Sequence, residues 1–217
     1  MTLRVVNELI HKACEAEVIS RRYRRYLATQ LDSLHRSISF QGHDPANDLC
    51  NFVLGYIRIT PAILECVNEC STQSGTQSLF HTSFELSLRY FTQPSELVSQ
   101  YAPIASLLIR SYQCHRLIEE LYDNNKSLRN KHLHDARTTQ ANLLAHHLIG
   151  EQLANDIDNS TYAAFSKLVS MPEYYDLDLS LFLERCKDEQ WSDVRKEWLE
   201  LLPSHGICMK LLMDYNL

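Results

Sequence analysis

The sequence predicts an all-α, single-domain bundle of about seven to nine helices. Three observations predict it. Glycine is scarce, with five in 217 residues, and the six prolines are widely spaced, so a sheet protein built on many tight turns is disfavoured. Leu, Ala, Glu, Gln and Arg, all good helix formers, are plentiful. Apolar residues recur with helical spacing along most of the chain, and no run alternates with period two for long enough to mark a strand. The chain, residues 1–217, is ample for one core, with a core bundle over about 1–158 and shorter helices over about 160–217.

The elements follow in order. Val6, Leu9, Ile10, Ala13, Ala16, Tyr23, Leu27, Leu31, Leu34 and Ile38 supply helical periodicity for one long helix over residues 3–38. Gly42-His43-Asp44-Pro45 punctuates it. Asp44 as N-cap and Pro45 at the first helical position start a second helix, through about Glu69, with a kink or split expected at Pro61. Ser71–Gly75 reads as a loop, and Thr76–Phe91 as a helix with Leu79, Phe80, Phe84, Leu88 and Phe91 inward. Pro94 and Pro103 bracket a short helical segment. A strong helix then runs to about Asn124, with Ile104, Leu107, Leu108, Ser111, His115, Ile118 and Tyr122 on one face. Another long helix spans roughly Asp135 to Asp158, with Asp135 as its N-cap, and three or four shorter helices follow, interrupted near Pro172, Glu189 and Pro203.

Composition excludes several function classes. A net charge of −6 lacks the electrostatic footprint of a nucleic-acid binder. Arg21-Arg22-Tyr23-Arg24-Arg25-Tyr26 is the local exception; it reads as a solvated helix face, with Glu17 pairing to Arg21. The seven cysteines are scattered without a Cys-x-x-Cys, so reduced, mostly buried thiols in a cytoplasmic protein are expected. No secretory leader or membrane span is expected either, because the apolar runs are short and interrupted. Walker-type, dinucleotide and Gly-x-Ser-x-Gly motifs are missing, so no nucleotide cofactor is expected. Tyr174, Tyr175, Trp191 and Trp198 read as packing or interface residues, and a homodimer is an allowed assembly.

Four of the ten histidines carry a glutamate four residues downstream: His11/Glu15, His81/Glu85, His115/Glu119 and His147/Glu151. Composition alone predicts about 0.7 such pairs. On a helix the two residues share a face, and both are ligands for first-row metals. His115 sits on the apolar face of its helix with Glu119 about 40° aside, while Arg116, Glu120 and Gln113 fall on the opposite, polar side. His147 lies among Leu143, Gly150 and Ala154, again with Glu151 about 40° away. The short connection between these two helices makes them antiparallel neighbours, with the imidazoles facing each other and the carboxylates diverging. A metal held there would need completion by His81 and Glu85 or by Glu8, His11 and Glu15. The competing account is a satisfied polar core that fixes helix register. Tyr56, Tyr112 and Tyr122 are expected to line a small-molecule pocket, and Asn142, Asp123 and Asn155 to orient the imidazoles. His146 reads as a core or boundary residue, and Cys114 beside His115 as a candidate nucleophile.

Glu8-Leu9-Ile10-His11 has the Glu-x-x-His spacing of carboxylate-bridged di-iron bundles, and in layout the chain resembles that ferritin-like group. The pairs at 115/119 and 147/151 depart from it in order and spacing. The apolar, aromatic stretch from Asn51 to Leu64 and the early His11 are similar to the haem-oxygenase-like group, which includes thiaminase-type proteins and di-metal oxidases. These resemblances imply a non-haem iron or manganese centre acting on a small substrate. The alternative is a non-catalytic helical module that binds a ligand or a protein.

Overall fold

The computed structural model describes residues 2–129, 136–169, 171–187 and 189–210. It shows an all-α domain. The first helix, α1 (Leu3–Ser20), buries Val6, Ile10, Cys14 and Glu17, one residue per turn. It does not continue to residue 38. Arg21 adopts the left-handed conformation at φ 50°, which an L side chain tolerates only with support. The support is Glu17, whose backbone carbonyl accepts the Arg21 N–H at 2.7 Å. The carboxylate of Glu17 turns forward to accept the N–H groups of Tyr23 and Arg24 at 2.9 and 3.0 Å. Glu17 is therefore a buried cap for α2 (Arg22–Gln30), not the surface partner of Arg21 that its spacing suggests.

A 3-10 turn at Leu31–Ser33 leads to β1 (Ile38–Phe40), which pairs antiparallel with β2 (Ile207–Met209), Ser39 opposite Cys208. The sequence showed no strand because three residues are too few to display a period. The next helix, α3 (Pro45–Gln73), begins as predicted, with the Asp44 side chain accepting the Asn47 N–H at 3.1 Å and Pro45 in the first turn. It continues through Pro61 and past Glu69. Thr60, just before that proline, uses its hydroxyl to bond the Tyr56 carbonyl at 2.9 Å. By length and composition α3 could cross a membrane, but 72% of its apolar window is buried inside the domain.

The remaining helices are α4 (Gln77–Thr92), α5 (Glu96–Ser99), α6 (Pro103–Asp123), α7 (Lys126–Arg129), α8 (Ala136–Ile149), α9 (Glu151–Leu168), α10 (Met171–Tyr175), α11 (Ser180–Arg185) and α12 (Glu189–Glu200). Short α5 lies between the two prolines as expected and is capped by Ser95. The described helices number twelve, exceeding the expected range because four are single short turns and two long predicted helices are broken. The second break falls at Gly150, where φ is 99° and ψ 134°, a conformation essentially reserved for glycine. Residues 135–158 are thus two helices meeting at a corner. The expected Asp135 cap lies outside the described residues.

Two helices organise the packing. The central α3 touches α1, α2, α4, α6, α11 and α12, while α6 touches α3, α4, α8 and α9. Between them the core takes Phe52, Tyr56, Ile57 and Ile63 from α3 and Leu108, Tyr112, Leu117 and Ile118 from α6, all at most 2% exposed. Trp191 and Trp198 of α12 are buried too, whereas Tyr175 is 38% exposed.

Candidate functional site

Where α6, α8 and α9 converge, the core becomes polar. The innermost group is His115, fully buried on α6. Its ring stacks on Tyr56, centroids 4.2 Å apart, and meets the Trp198 edge-on at 5.1 Å. Its Nε2 lies 3.0 Å from the Thr60 hydroxyl. That hydroxyl already donates its one proton to the Tyr56 carbonyl, so His115 Nε2–H is the donor and the tautomer is assigned by this geometry. Tyr56, equally buried, donates its OH to Asn142 Oδ1 of α8 at 2.7 Å. Burial pushes the Tyr56 phenol well above its ordinary pKa and keeps it a neutral donor.

Outward from this layer opens a cleft of about 470 Å³, lined by Tyr112, Arg116, Glu119, Asn142, His146 and Asp158 among others. Arg116 is its centre. Nε donates to Asp158 at 2.9 Å, one terminal nitrogen to Glu120 at 3.2 Å, and the other to Glu119. The Glu119 side chain is 4% exposed, those of Glu120 and Asp158 15% and 27%. Tyr112 donates to the same Asp158 oxygen at 2.8 Å, and its phenol is pushed up by burial and then by that carboxylate. Burial also raises the Glu120 carboxyl above its usual range, against the pull of Arg116. His146 Nε2 contacts Asn155 Oδ1 at 3.2 Å and stands 3.8 Å from the second oxygen of Asp158.

Asn142 joins the two layers. It is 3% exposed, its oxygen accepts from Tyr56, and its NH2 group is buried with no hydrogen-bond partner. A buried donor left unmatched costs about 1–3 kcal/mol, and this one sits in the cleft wall.

The residues expected to bind metal are distributed differently. His115 and Glu119 are both buried on α6, but Glu119 is engaged with Arg116. His147 and Glu151 stand on either side of the Gly150 corner and so lose the shared helical face. Instead His147 Nε2 accepts the backbone N–H of His35 at 3.2 Å. Burial holds the His147 imidazole below its usual pKa, helped by His35 and His146, against the Ser33 backbone bond and Glu151. His11 and Glu15 form an exposed ion pair at 3.2 Å, and Glu8 pairs with Arg4 at 3.0 Å. His81 is exposed on α4 and Glu85 half-buried there. Among the described residues, no three of His, Cys, Asp and Glu come together as a metal-holding group. Cys114 is fully buried, its thiol near the Ser87 carbonyl at 3.6 Å and pushed far up by desolvation, so it is no ready nucleophile.

Of the tyrosines expected to line a pocket, Tyr112 and Tyr122 line the cleft and Tyr56 lies behind Asn142; of the residues expected to orient the imidazoles of His115 and His147, Asn142 and Asp123 line the cleft instead and Asn155 contacts His146. Sequence reasoning missed Arg116, Asp158, Thr60 and Trp198. On the helical wheel Arg116 falls on the polar outer face, and only its i+3 and i+4 glutamates hint at more. A second, larger groove of about 610 Å³ runs between α1, α2, α6 and α8, but it is mostly apolar, and its carboxylate, Glu17, is used as the α2 cap. No family model, curated protein or solved structure matches the chain.

Proposed function

We propose that this protein is a helical small-molecule-binding module whose ligand occupies the polar cleft between α6, α8 and α9. The observation that carries the reading is the Asn142 amide. Its oxygen is fixed by Tyr56, its NH2 group is buried without a partner, and a cleft of metabolite size lies against it. The ring of Tyr112, Arg116, Glu119 and Asp158 is cross-linked by hydrogen bonds, so its geometry is set before a ligand arrives. A cytoplasmic setting goes with this reading, since seven cysteines outside any disulfide, six of them buried, would stay reduced there.

An iron- or manganese-dependent oxidase is the competing proposal, and the dispersal of the His–Glu pairs speaks against it. Two measurements separate them. The side-chain NH2 resonances of Asn142 are followed by heteronuclear NMR while small polar fragments are added, and the purified protein is analysed for metal. Shifts of the Asn142 amide with little iron or manganese support the cleft reading. Near-stoichiometric metal, lost in a Glu119→Ala/His147→Ala double mutant, overturns it.

A further inference from the structure

The larger groove, about 610 Å³ between α1, α2, α6 and α8, is formed by the stretches 13–26, 101–109 and 148–149, all within the described residues. Its floor is apolar: Ile104, Leu108 and Ile109 of α6 are each at most 3% exposed. On the α1 side the lining is Ala13 and Ala16, whose short side chains leave the space between the helices open. Tyr26 and Tyr101 belong to the same lining yet stand 50% and 40% exposed. A concave apolar surface of this size, continued by exposed aromatic rings, suits a ligand with an apolar body.

The charged groups along the groove are not equivalent. Glu17 is the one carboxylate among the described lining residues, and it is 5% exposed. Its Oε1 accepts the N–H groups of Tyr23 and Arg24, and its Oε2 lies 3.5 Å from the Ser20 hydroxyl. A cationic ligand would have to draw Glu17 off those N–H groups and leave them unmatched. Arg22, in the same lining, is exposed and has no ion pair among the described residues. Its neighbours Arg21 and Arg25 are exposed and equally without a carboxylate partner there, and Arg25 is held beside the groove by donating to the Ser20 carbonyl at 3.1 Å. Of the four arginines in this run only Arg24 has such a partner, Asp44. The basic run therefore borders an apolar groove with positive charge to spare. We propose that the groove binds a free amphipathic carboxylate of fatty-acid type, its chain over α6 and its head at Arg22. This is a second site, independent of the Asn142 cleft.

The test uses the full chain and three monomeric ten-carbon probes that differ in head charge: decanoate, 1-decanol and decylamine. Binding is read by calorimetry and from the methyl NMR signals of Ile104, Ile109 and Ile149. Decanoate is expected to bind best and to shift those methyls while leaving the Asn142 amide signals in place. Each two-carbon extension from hexanoate to decanoate should tighten binding about ten-fold. Arg22→Gln, an exposed change, should weaken decanoate about two- to five-fold and leave 1-decanol unaffected. Ala16→Phe, which fills the groove from an exposed helix position, should weaken all three probes by about ten-fold or more. Preference for the alcohol or the amine overturns the carboxylate assignment. No methyl response to any probe overturns the site. Co-sedimentation with anionic phospholipid vesicles without a response to decanoate gives the groove to a membrane surface, and a concentration-dependent dimer that shifts the same methyls gives it to a second copy; either result also overturns the proposal.

Discussion

Replacing Arg116 by methionine isolates what holds the cleft together. Methionine keeps most of the aliphatic stem, so little cavity forms, and the change is chiefly loss of the guanidinium. Glu119, at 4% exposure, then loses its contact with the Arg116 guanidinium. Removing one partner of a buried ion pair costs about 3–5 kcal/mol. Glu120 and Asp158, at 15% and 27% exposure, retain contact with water and add about 0–1 kcal/mol each. Against a total stability of about 5–15 kcal/mol this is a large fraction, and for a chain of this length the melting temperature should fall by roughly 10 °C. Urea and thermal unfolding at pH 7 measure it. Adding Glu119→Gln to Arg116→Met should recover much of the loss, giving a coupling of about 2 kcal/mol or more. A single mutant within about 1 kcal/mol of wild type, or two losses that simply add, would refute the idea that Arg116 neutralises a buried Glu119.

Three further outcomes are expected. The His147 and His205 imidazoles are both held below their usual pKa, mainly by burial, so the unfolded chain binds more protons just below the ordinary imidazole value; stability should fall as pH drops from about 6.5 through the folded pKa values, and His147→Leu should flatten part of that fall in urea titrations at pH 8 to 5. Glu17→Ala removes the acceptor of two α2 N–H groups and should cost about 1–2 kcal/mol by urea unfolding, whereas removing an ordinary exposed helix-surface ion pair would cost only a few tenths. Gly150→Ala meets no atom within 4 Å, so a loss of about 1–3 kcal/mol in the same assay would come from backbone strain alone, and an unchanged stability would show that the corner relaxes.

The sequence by itself determined whatever depends on near neighbours. Helical spacing, the Asp44–Pro45 start of α3, the short segment between Pro94 and Pro103 and the inward face of α6 with Ile104, Leu108, His115 and Tyr122 all express interactions within about one helical turn. Thiol burial followed in the same way from an apolar residue type on apolar faces. The tertiary structure decided the rest. A left-handed Arg21 is not written in its residue type; it exists because Glu17 bends forward to cap the next helix. Gly150 could equally have packed inside a continuous helix, and only the need to bring α8 and α9 onto α6 selects its positive φ. The cleft itself is made by pairs far apart in the chain: Arg116 with Asp158 across 42 residues, Tyr56 with Asn142 across 86. Periodicity shows which face of a helix is buried. It does not show which residue of another helix will stand opposite, and charge compensation in a low-dielectric interior depends on that partner.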